Sequence, residues 1–136
     1  GLPRRILLVD DDPTILLLGR EALEQSGFQV LSAANGVEGF ATFRDNLPDL
    51  VILDVMMPGM DGVLLVQTLR GQGVGIPVLA ITGVEQPERM EALRQAGVIN
   101  GGKANLETAT ALLTLAVSGG WNASRVQQQL QALKLC

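Results

Sequence analysis

The stretch that most constrains the fold is residues 50–62, LVILDVMMPGMDG. The apolar run LVIL before Asp54 is typical of a parallel strand that is buried on both faces. Pro58, Gly59 and Gly62 then predict a turn in place of a longer strand. Ligands of open parallel sheets bind beyond the carboxyl ends of the strands. The pattern therefore predicts that Asp54 lies at the rim of a sheet, where it is accessible for chemistry.

A second acidic stretch, formed by Asp10, Asp11 and Asp12, follows another apolar run at residues 6–9. Two strands would thus bring carboxylates to the same rim. Like charges held so close repel each other unless a cation lies among them or a proton is shared. The chain contains no histidine, and carboxylate oxygens suit a hard cation, so the sequence predicts a Mg2+ site.

Length and charge narrow the class of protein. The 136 residues suffice for one domain with a sizeable core. A formal net charge of −4 argues against non-specific binding to nucleic acid, and the apolar runs are too short to span a membrane. A single cysteine, Cys136, excludes an internal disulfide, and the start lacks the pattern of a signal peptide. We therefore expect a cytoplasmic protein.

Strand and helix patterns alternate along residues 4–117. This alternation predicts an α/β fold with a doubly wound, five-stranded parallel sheet. In the first helix, the spacing of the apolar residues predicts a core face formed by Ile15, Leu18, Ala22 and Leu23. The strands are predicted at residues 5–9, 28–33, 49–53, 76–81 and 98–102, with helices between them and a last helix at residues 105–116.

Residues 118–136 extend beyond these units. Val126, Leu130 and Leu133 follow one another at helical spacing, which predicts an amphipathic helix. This helix would either pack on its own domain or join a partner, for instance a second copy in a homodimer. The sequence leaves both interpretations open.

Further chemistry-bearing residues follow the last two strands. Thr82 ends the fourth predicted strand, and Lys103 follows the fifth. Together with the carboxylates they give one rim a hydroxyl and an ammonium group. This set suits the transfer of a phosphoryl group with a divalent ion, with one carboxylate as the nucleophile. Asp12 and Asp61 are instead predicted to cap helices, which is the usual role of such residues.

Four separated motifs, ILLVDDDP, LVILDVMMPGMDG, LAITG and AGVINGGK, resemble the receiver domain of two-component response regulators. The resemblance covers residues 4–117. It implies a flavodoxin-like sheet with the strand order 2-1-3-4-5. We accordingly expect a receiver domain at residues 1–117, followed by an extra C-terminal helix at residues 118–136.

The resemblance also implies a function. Asp54 would accept a phosphoryl group from a phosphohistidine on a histidine kinase or a histidine phosphotransfer protein. Thr82 would turn towards that group, and Lys103 would pair with it. A downstream effector protein would then respond, without direct contact of this domain with nucleic acid or membrane. The protein would be an acceptor and not an enzyme that turns over a substrate.

The metal site is implied in the same way. Asp10 and Asp11 correspond to the acidic pair that places Mg2+, with Asp11 as the direct ligand. Asp54 and the backbone carbonyl of Met56 would complete the protein ligands. Met56 and Val84 occupy positions that affect hydrolysis of the phosphoryl group in this family. Neither side chain can orient a water molecule, so we expect slow self-dephosphorylation.

The sequence departs from the family pattern around the fifth strand. Ala104 follows Lys103 where the family usually has proline, Asn100 replaces the usual aromatic residue, and the preceding segment is one residue shorter. These departures keep open a pseudo-receiver that binds partners without being phosphorylated. A further alternative is a haloacid dehalogenase-like phosphatase, with Asp10 as nucleophile and Asp12 as acid.

Overall fold

The computed structural model describes residues 5–55, 62–80, 87–100 and 128 of the chain. Strands and helices alternate as the sequence predicts. The predicted helix at residues 105–116 lies outside the described residues. So does the predicted extension at residues 118–136, except for residue 128. The elements are β1 Arg5–Val9, α1 Pro13–Gln25, β2 Gln29–Ala33, α2 Gly36–Asn46, β3 Leu50–Leu53, α3 Gly62–Gly71, β4 Val78–Ala80, α4 Pro87–Gln95 and β5 Ile99–Asn100.

The strands form a single parallel sheet in the order β2-β1-β3-β4-β5. This arrangement confirms the predicted flavodoxin-like order 2-1-3-4-5. The chain changes its winding direction between β1 and β3, which are neighbours in the sheet, with Val9 as the register partner of Leu53. Such a switch point is where open α/β sheets bind their ligands. The residues that follow Val9 and Leu53 therefore emerge side by side at this point.

The two central strands are buried along their length. Residues 6–9 of β1 and all of β3 have no exposed surface. Burial on both faces explains why each strand reads as an uninterrupted apolar run instead of alternating apolar and polar residues. Close packing in such a core holds the ends of the strands firmly. The residues that follow these strands at the rim are therefore attached to a rigid backbone.

The ends of α1 follow from local side-chain chemistry. Asp12 precedes the helix, and its Oδ1 accepts a hydrogen bond of 2.9 Å from the backbone N–H of Thr14. Pro13 takes the first helical position, where its missing N–H costs nothing. Gly27 follows the helix with a φ of 93°, a left-handed conformation that glycine adopts without strain. The predicted capping role of Asp12 is confirmed.

The predicted core face of α1 is wrong at Leu18, whose side chain is 54% exposed. The buried positions of this helix are Gly19 and Leu23, which lie four residues apart on one face. Ile15 and Ala22 are partly buried at the edges of that face. Apolar spacing alone does not distinguish this face from the neighbouring one, because the buried Gly19 has no apolar side chain to mark it.

The helix α2 is capped at its start and strained at its end. Asn35 Oδ1 accepts the N–H of Glu38 at 2.9 Å, and a Glu38 carboxylate oxygen accepts the N–H of Ala34 at 3.2 Å. This arrangement is similar to a capping box, except that Glu38 accepts the N–H of the residue before the N-cap Asn35. Leu47, the residue that follows the helix, has a left-handed φ of 48° and is 71% exposed. A branched residue in this conformation costs about 1–2 kcal/mol.

Candidate functional site

The acidic rim is built by the ends of β1 and β3. The N–H of Asp54 donates to the carbonyl of Val9 at 2.8 Å, and the N–H of Asp10 donates to the carbonyl of Ala33 at 3.1 Å. These bonds extend the sheet hydrogen bonding by one residue beyond the strands. The backbones of Asp10 and Asp54 are therefore fixed at the rim, at the ends of the neighbouring strands β1 and β3.

Three carboxylates meet there. The structure places one carboxylate oxygen from each of Asp10, Asp11 and Asp54 so that all three lie within 4.8 Å of one another. The side chain of Asp10 is buried, Asp54 is half-buried and Asp11 is exposed. The cluster thus opens to solvent on one side and has a closed floor. Oxygen atoms at these separations can bind a common divalent cation.

The electrostatics of this cluster are unfavourable without a cation. The pKa of the Asp10 carboxyl is raised from 3.8 to about 6, mainly because burial disfavours the charged form. The negative charges of Asp54, Asp11 and Asp12 raise the Asp10 pKa further, while the hydrogen bond from the Asp12 backbone opposes them. A bound cation would offset both the burial and the repulsion.

The buried carboxylate also organises the loop after β1. Asp10 Oδ1 accepts the N–H of Asp12 at 2.9 Å, which turns the chain towards the start of α1. Asp12 in turn caps α1 through Thr14. The exposed Asp11 lies between these two fixed residues. Its carboxylate is therefore held next to the rim while remaining open to solvent.

Gly62 packs closely against the backbone of Asp54 and Val55. The N–H of Gly62, the first residue of α3, donates to the carbonyl of Val55 at 3.0 Å. An added Cβ at Gly62 would lie 2.6 Å from Val55 Cα and 2.8 Å from the carbonyl oxygen of Asp54. Only glycine fits at these distances. The turn that the sequence predicts before Gly62 lies outside the described residues, and the sequence gives no sign of this close approach to Asp54.

Comparison with known proteins agrees with this geometry. The family model of the response regulator receiver domain matches residues 6–100. The chain belongs to the response regulator receiver family. The resemblance seen in the four motifs is thereby confirmed, and the chain is a receiver domain of the two-component type.

Two curated regulatory proteins are similar to this chain over part of their length. The probable C4-dicarboxylate response regulator DctR of Priestia megaterium is 36% identical over 97 residues, which cover 70% of this chain and 42% of DctR. The alkaline phosphatase synthesis transcriptional regulatory protein PhoP of Bacillus subtilis is 37% identical over 83 residues, or 61% of this chain and 35% of PhoP. The receiver chain therefore spans less than half the length of these relatives.

Solved structures show the same fold. Chemotaxis protein CheY4 of Vibrio cholerae matches with a TM-score of 0.72 at 31% identity, covering 84% of this chain and 97% of CheY4. A CheY-like receiver domain protein from Methanospirillum hungatei matches with a TM-score of 0.74 at 25% identity, covering 96% and 99% of the two chains.

Within residues 5–55, 62–80 and 87–100, every helix is too short or too polar to span a lipid bilayer.

The geometry argues against the phosphatase alternative. In that interpretation Asp10 would attack the substrate and Asp12 would supply a proton. Asp10 is only 5% exposed, and one of its oxygens already accepts the N–H of Asp12. The carboxylate of Asp12 caps α1. The family match assigns the chain to receiver domains instead.

Several predicted site residues lie outside the described residues. These are the proposed metal ligand Met56 and the two residues expected to contact the phosphoryl group, Thr82 and Lys103. The structure therefore brings together Asp10, Asp11 and Asp54 from the predicted set. Val84, Asp61 and Ala104 also lie outside the described residues.

One residue near the site was not anticipated. Arg89, in the first turn of α4, places Nη2 at 3.5 Å from the carbonyl oxygen of Val55, the residue that follows Asp54. A signal was present in the sequence, because the positive end of the helix dipole disfavours a cation in the first turn.

Proposed function

We propose that Asp54 of this receiver domain accepts a phosphoryl group from a phosphohistidine in a Mg2+-dependent reaction. The observation that carries the proposal is the convergence of oxygens from Asp10, Asp11 and Asp54 within 4.8 Å. Among these residues, Asp54 is the best placed acceptor. It is half-buried at the switch point of the sheet, whereas Asp10 is buried and Asp11 is exposed.

The donor set supports a Mg2+ site. All three side chains offer hard carboxylate oxygens, and the pKa of Asp10 is raised mainly by burial and further by the neighbouring carboxylates, both of which a cation would oppose. When bound, Mg2+ would neutralise carboxylate charge and a phosphoryl oxygen at the same time. We propose Asp11 as a direct ligand on the open side, Asp10 as the buried support, and the Met56 carbonyl as a further ligand.

The transfer itself needs little from the protein beyond position and charge. A carboxylate oxygen of Asp54 attacks phosphorus, the new P–O bond forms, and the P–N bond of the phosphohistidine breaks. The imidazole nitrogen leaves with the electron pair of that bond. The hydrogen bond from the Asp54 N–H to Val9 holds the acceptor in place during this exchange. Thr82 and Lys103 are proposed to contact the phosphoryl oxygens afterwards.

The product is proposed to act as a signal. The relatives include a probable response regulator and a transcriptional regulatory protein, so receiver domains of this kind regulate other domains or proteins. We propose that a histidine kinase or a histidine phosphotransfer protein supplies the phosphoryl group and that an effector responds to it. Self-dephosphorylation is proposed to be slow, because Met56 and Val84 cannot orient water.

A phosphorylation assay tests the proposal. The protein is incubated with acetyl phosphate and Mg2+, and intact-mass spectrometry counts the phosphoryl groups. We expect one group on the parent protein, none on Asp54→Asn, and none without Mg2+. Asp11→Asn is expected to slow the reaction by at least tenfold.

The matched control is Asp12→Asn, because asparagine caps a helix as well as aspartate does. This variant removes one negative charge beside the cluster but leaves the three converging carboxylates intact. It is expected to react at close to the parent rate. The same modification on Asp54→Asn as on the parent would contradict the proposal, and no modification of the parent would favour the pseudo-receiver alternative.

A further inference from the structure

Two of the groups proposed to hold Mg2+ belong to the chain segment that follows β3. These are the carboxylate of Asp54 and the backbone carbonyl of Met56, whereas the other proposed ligands follow β1. The structure describes Val55 and Gly62, the residues on either side of positions 56–61. The way in which these two residues are joined therefore affects how precisely the oxygens of this segment are held.

Val55 and Gly62 are joined by a hydrogen bond and by very close packing. The N–H of Gly62 donates to the carbonyl of Val55 at 3.0 Å. An added Cβ at Gly62 would lie 2.6 Å from Val55 Cα and 2.8 Å from the carbonyl oxygen of Asp54. Both of these are backbone atoms at the end of the buried strand β3, where close packing opposes any displacement. The helix α3 therefore begins in direct contact with the backbone of the proposed acceptor.

Glycine is needed at position 62 for space and not for conformational freedom. Gly62 lacks the positive φ that requires glycine at a position such as Gly27. The contrast with Gly39 shows how unusual the contact is. A Cβ at Gly39 would meet the ends of two side chains, Leu65 Cδ2 and Val9 Cγ2, at 3.2 Å each. Side-chain ends can give way by a few tenths of an ångström, whereas the backbone beside Gly62 cannot.

Mg2+ and Ca2+ depend differently on such precision. Mg2+ requires nearly octahedral geometry with oxygens at about 2.0–2.1 Å, whereas Ca2+ accepts flexible arrangements at about 2.3–2.6 Å. The carboxylates alone do not decide between the two ions, because both ions bind carboxylate oxygens. A small displacement of the segment after β3 would therefore cost more affinity for Mg2+ than for Ca2+.

We propose that Gly62 is a positioning residue that gives the acidic cluster a preference for Mg2+ over Ca2+. This inference rests on the proposed function. A methyl group at position 62 forces the start of α3 away from the backbone of Asp54 and Val55. The oxygens carried by the segment between β3 and α3 are then held less closely. Ca2+ tolerates this wider arrangement, and Mg2+ does not.

The experiment titrates the full chain with MgCl2 and, separately, with CaCl2. Dissociation constants are obtained from the NMR shifts of the backbone amides of Asp10 and Asp11, and urea denaturation in EDTA verifies that each variant is folded. All solutions contain sucrose, which favours the folded state. The parent is compared with Gly62→Ala. The matched controls are Gly39→Ala, which crowds side-chain ends, and Gly71→Ala, whose Cβ has no atom within 4 Å.

Gly62→Ala is expected to raise the dissociation constant of Mg2+ by about tenfold or more, the usual effect of losing a group that orients metal ligands. The dissociation constant of Ca2+ is expected to rise by less than about threefold, since Ca2+ accepts flexible geometry. Both controls are expected to keep the parent ratio of the two constants. A loss of stability alone would not change this ratio, because unfolding removes the site for both ions equally.

A second pair of variants covers the case in which Gly62→Ala does not fold. The Cβ added at position 62 would also lie 2.7 Å from Leu53 Cδ1, an atom that Leu53→Val removes. The double variant Leu53→Val/Gly62→Ala thus keeps the two backbone contacts and loses this side-chain contact. Compared with Leu53→Val, it is expected to show the same selective loss of affinity for Mg2+.

The outcomes separate the two proposals. If Mg2+ shifts no amide at the acidic cluster of the parent, the proposed function fails and the selectivity role fails with it. If the parent prefers Mg2+ and Gly62→Ala keeps that preference, the proposed function stands and the role of Gly62 is overturned. The role is also overturned if the parent binds both ions equally well, or if Gly62→Ala loses the same affinity for both.

Discussion

Replacement of Asp10 by asparagine separates the electrostatic cost of the acidic cluster from its structural role. Asparagine keeps the shape of the side chain and the Oδ1 atom that accepts the N–H of Asp12 at 2.9 Å. It removes one negative charge from the buried floor of the site. Because the loop geometry is retained, the change in the free energy of unfolding reports mainly on that charge.

The sign of this change in the free energy of unfolding follows from the pKa of Asp10. Because the folded protein raises this pKa from 3.8 to about 6, it binds the proton more tightly than the unfolded chain does. The parent therefore loses stability as the pH rises through this window, and the loss is complete above about pH 6. This rise of the Asp10 pKa corresponds to roughly 3 kcal/mol of stability at most. Since solvent reaches the open side of the cluster and screens it, we expect about 1–2 kcal/mol.

The assay is urea denaturation of the parent and Asp10→Asn, with EDTA present. At pH 7.5 the variant is expected to be more stable than the parent by about 1–2 kcal/mol, and near pH 4 the difference is expected to vanish. With Mg2+ at about 100 times its dissociation constant, the parent gains about 2.7 kcal/mol. Asp10→Asn gains less because it has one carboxylate fewer to offer the ion.

The control is Asp12→Asn, which changes a charge by the same amount at the exposed cap of α1. It is expected to leave the pH dependence of unfolding close to that of the parent. The reasoning is refuted if Asp10→Asn is less stable than the parent at pH 7.5 in EDTA. The reasoning is also refuted if Asp10→Asn and Asp12→Asn gain the same free energy of unfolding over the parent.

Three further substitutions test the fold by urea denaturation. Gly62→Ala is expected to lower the free energy of unfolding by at least about 2 kcal/mol, since its Cβ would lie 2.6 Å from Val55 Cα. The matched Gly71→Ala, with no atom within 4 Å of the added Cβ, is expected to be neutral or stabilising by up to about 1 kcal/mol. Leu47→Gly is expected to raise the stability by about 1 kcal/mol, because it relieves a left-handed φ of 48° at a residue that is 71% exposed.

Equal changes in the free energy of unfolding for Gly62→Ala and Gly71→Ala would show that the close packing at Gly62 does not affect stability. A loss of stability in Leu47→Gly would show that the leucine side chain, despite its exposure, contributes more than its backbone strain costs.

The sequence was sufficient to predict the sheet and the acidic cluster. The apolar runs before Asp10 and Asp54 identify buried parallel strands, because only strands covered on both faces read without alternation. The carboxyl ends of neighbouring parallel strands share one rim. The convergence of these two residues therefore follows from the pattern, and the structure confirms it.

Other features depend on three-dimensional packing that one sequence does not reveal. Leu18 is exposed because the buried face of α1 is the one that contains Gly19 and Leu23, and apolar spacing alone fits a neighbouring face equally well. The contact of Arg89 with Val55 joins residues that are 34 positions apart. Helix-dipole chemistry marks such an arginine as unusual but does not name its acceptor.

The most direct test of the central claim is the location of the phosphoryl group. After reaction with acetyl phosphate and Mg2+, borohydride reduction converts an aspartyl phosphate into homoserine, which peptide mass spectrometry can place in the chain. The account predicts homoserine at position 54, dependent on both the phosphodonor and Mg2+. Homoserine at position 10, 11 or 12 instead, or at no aspartate position, would contradict it.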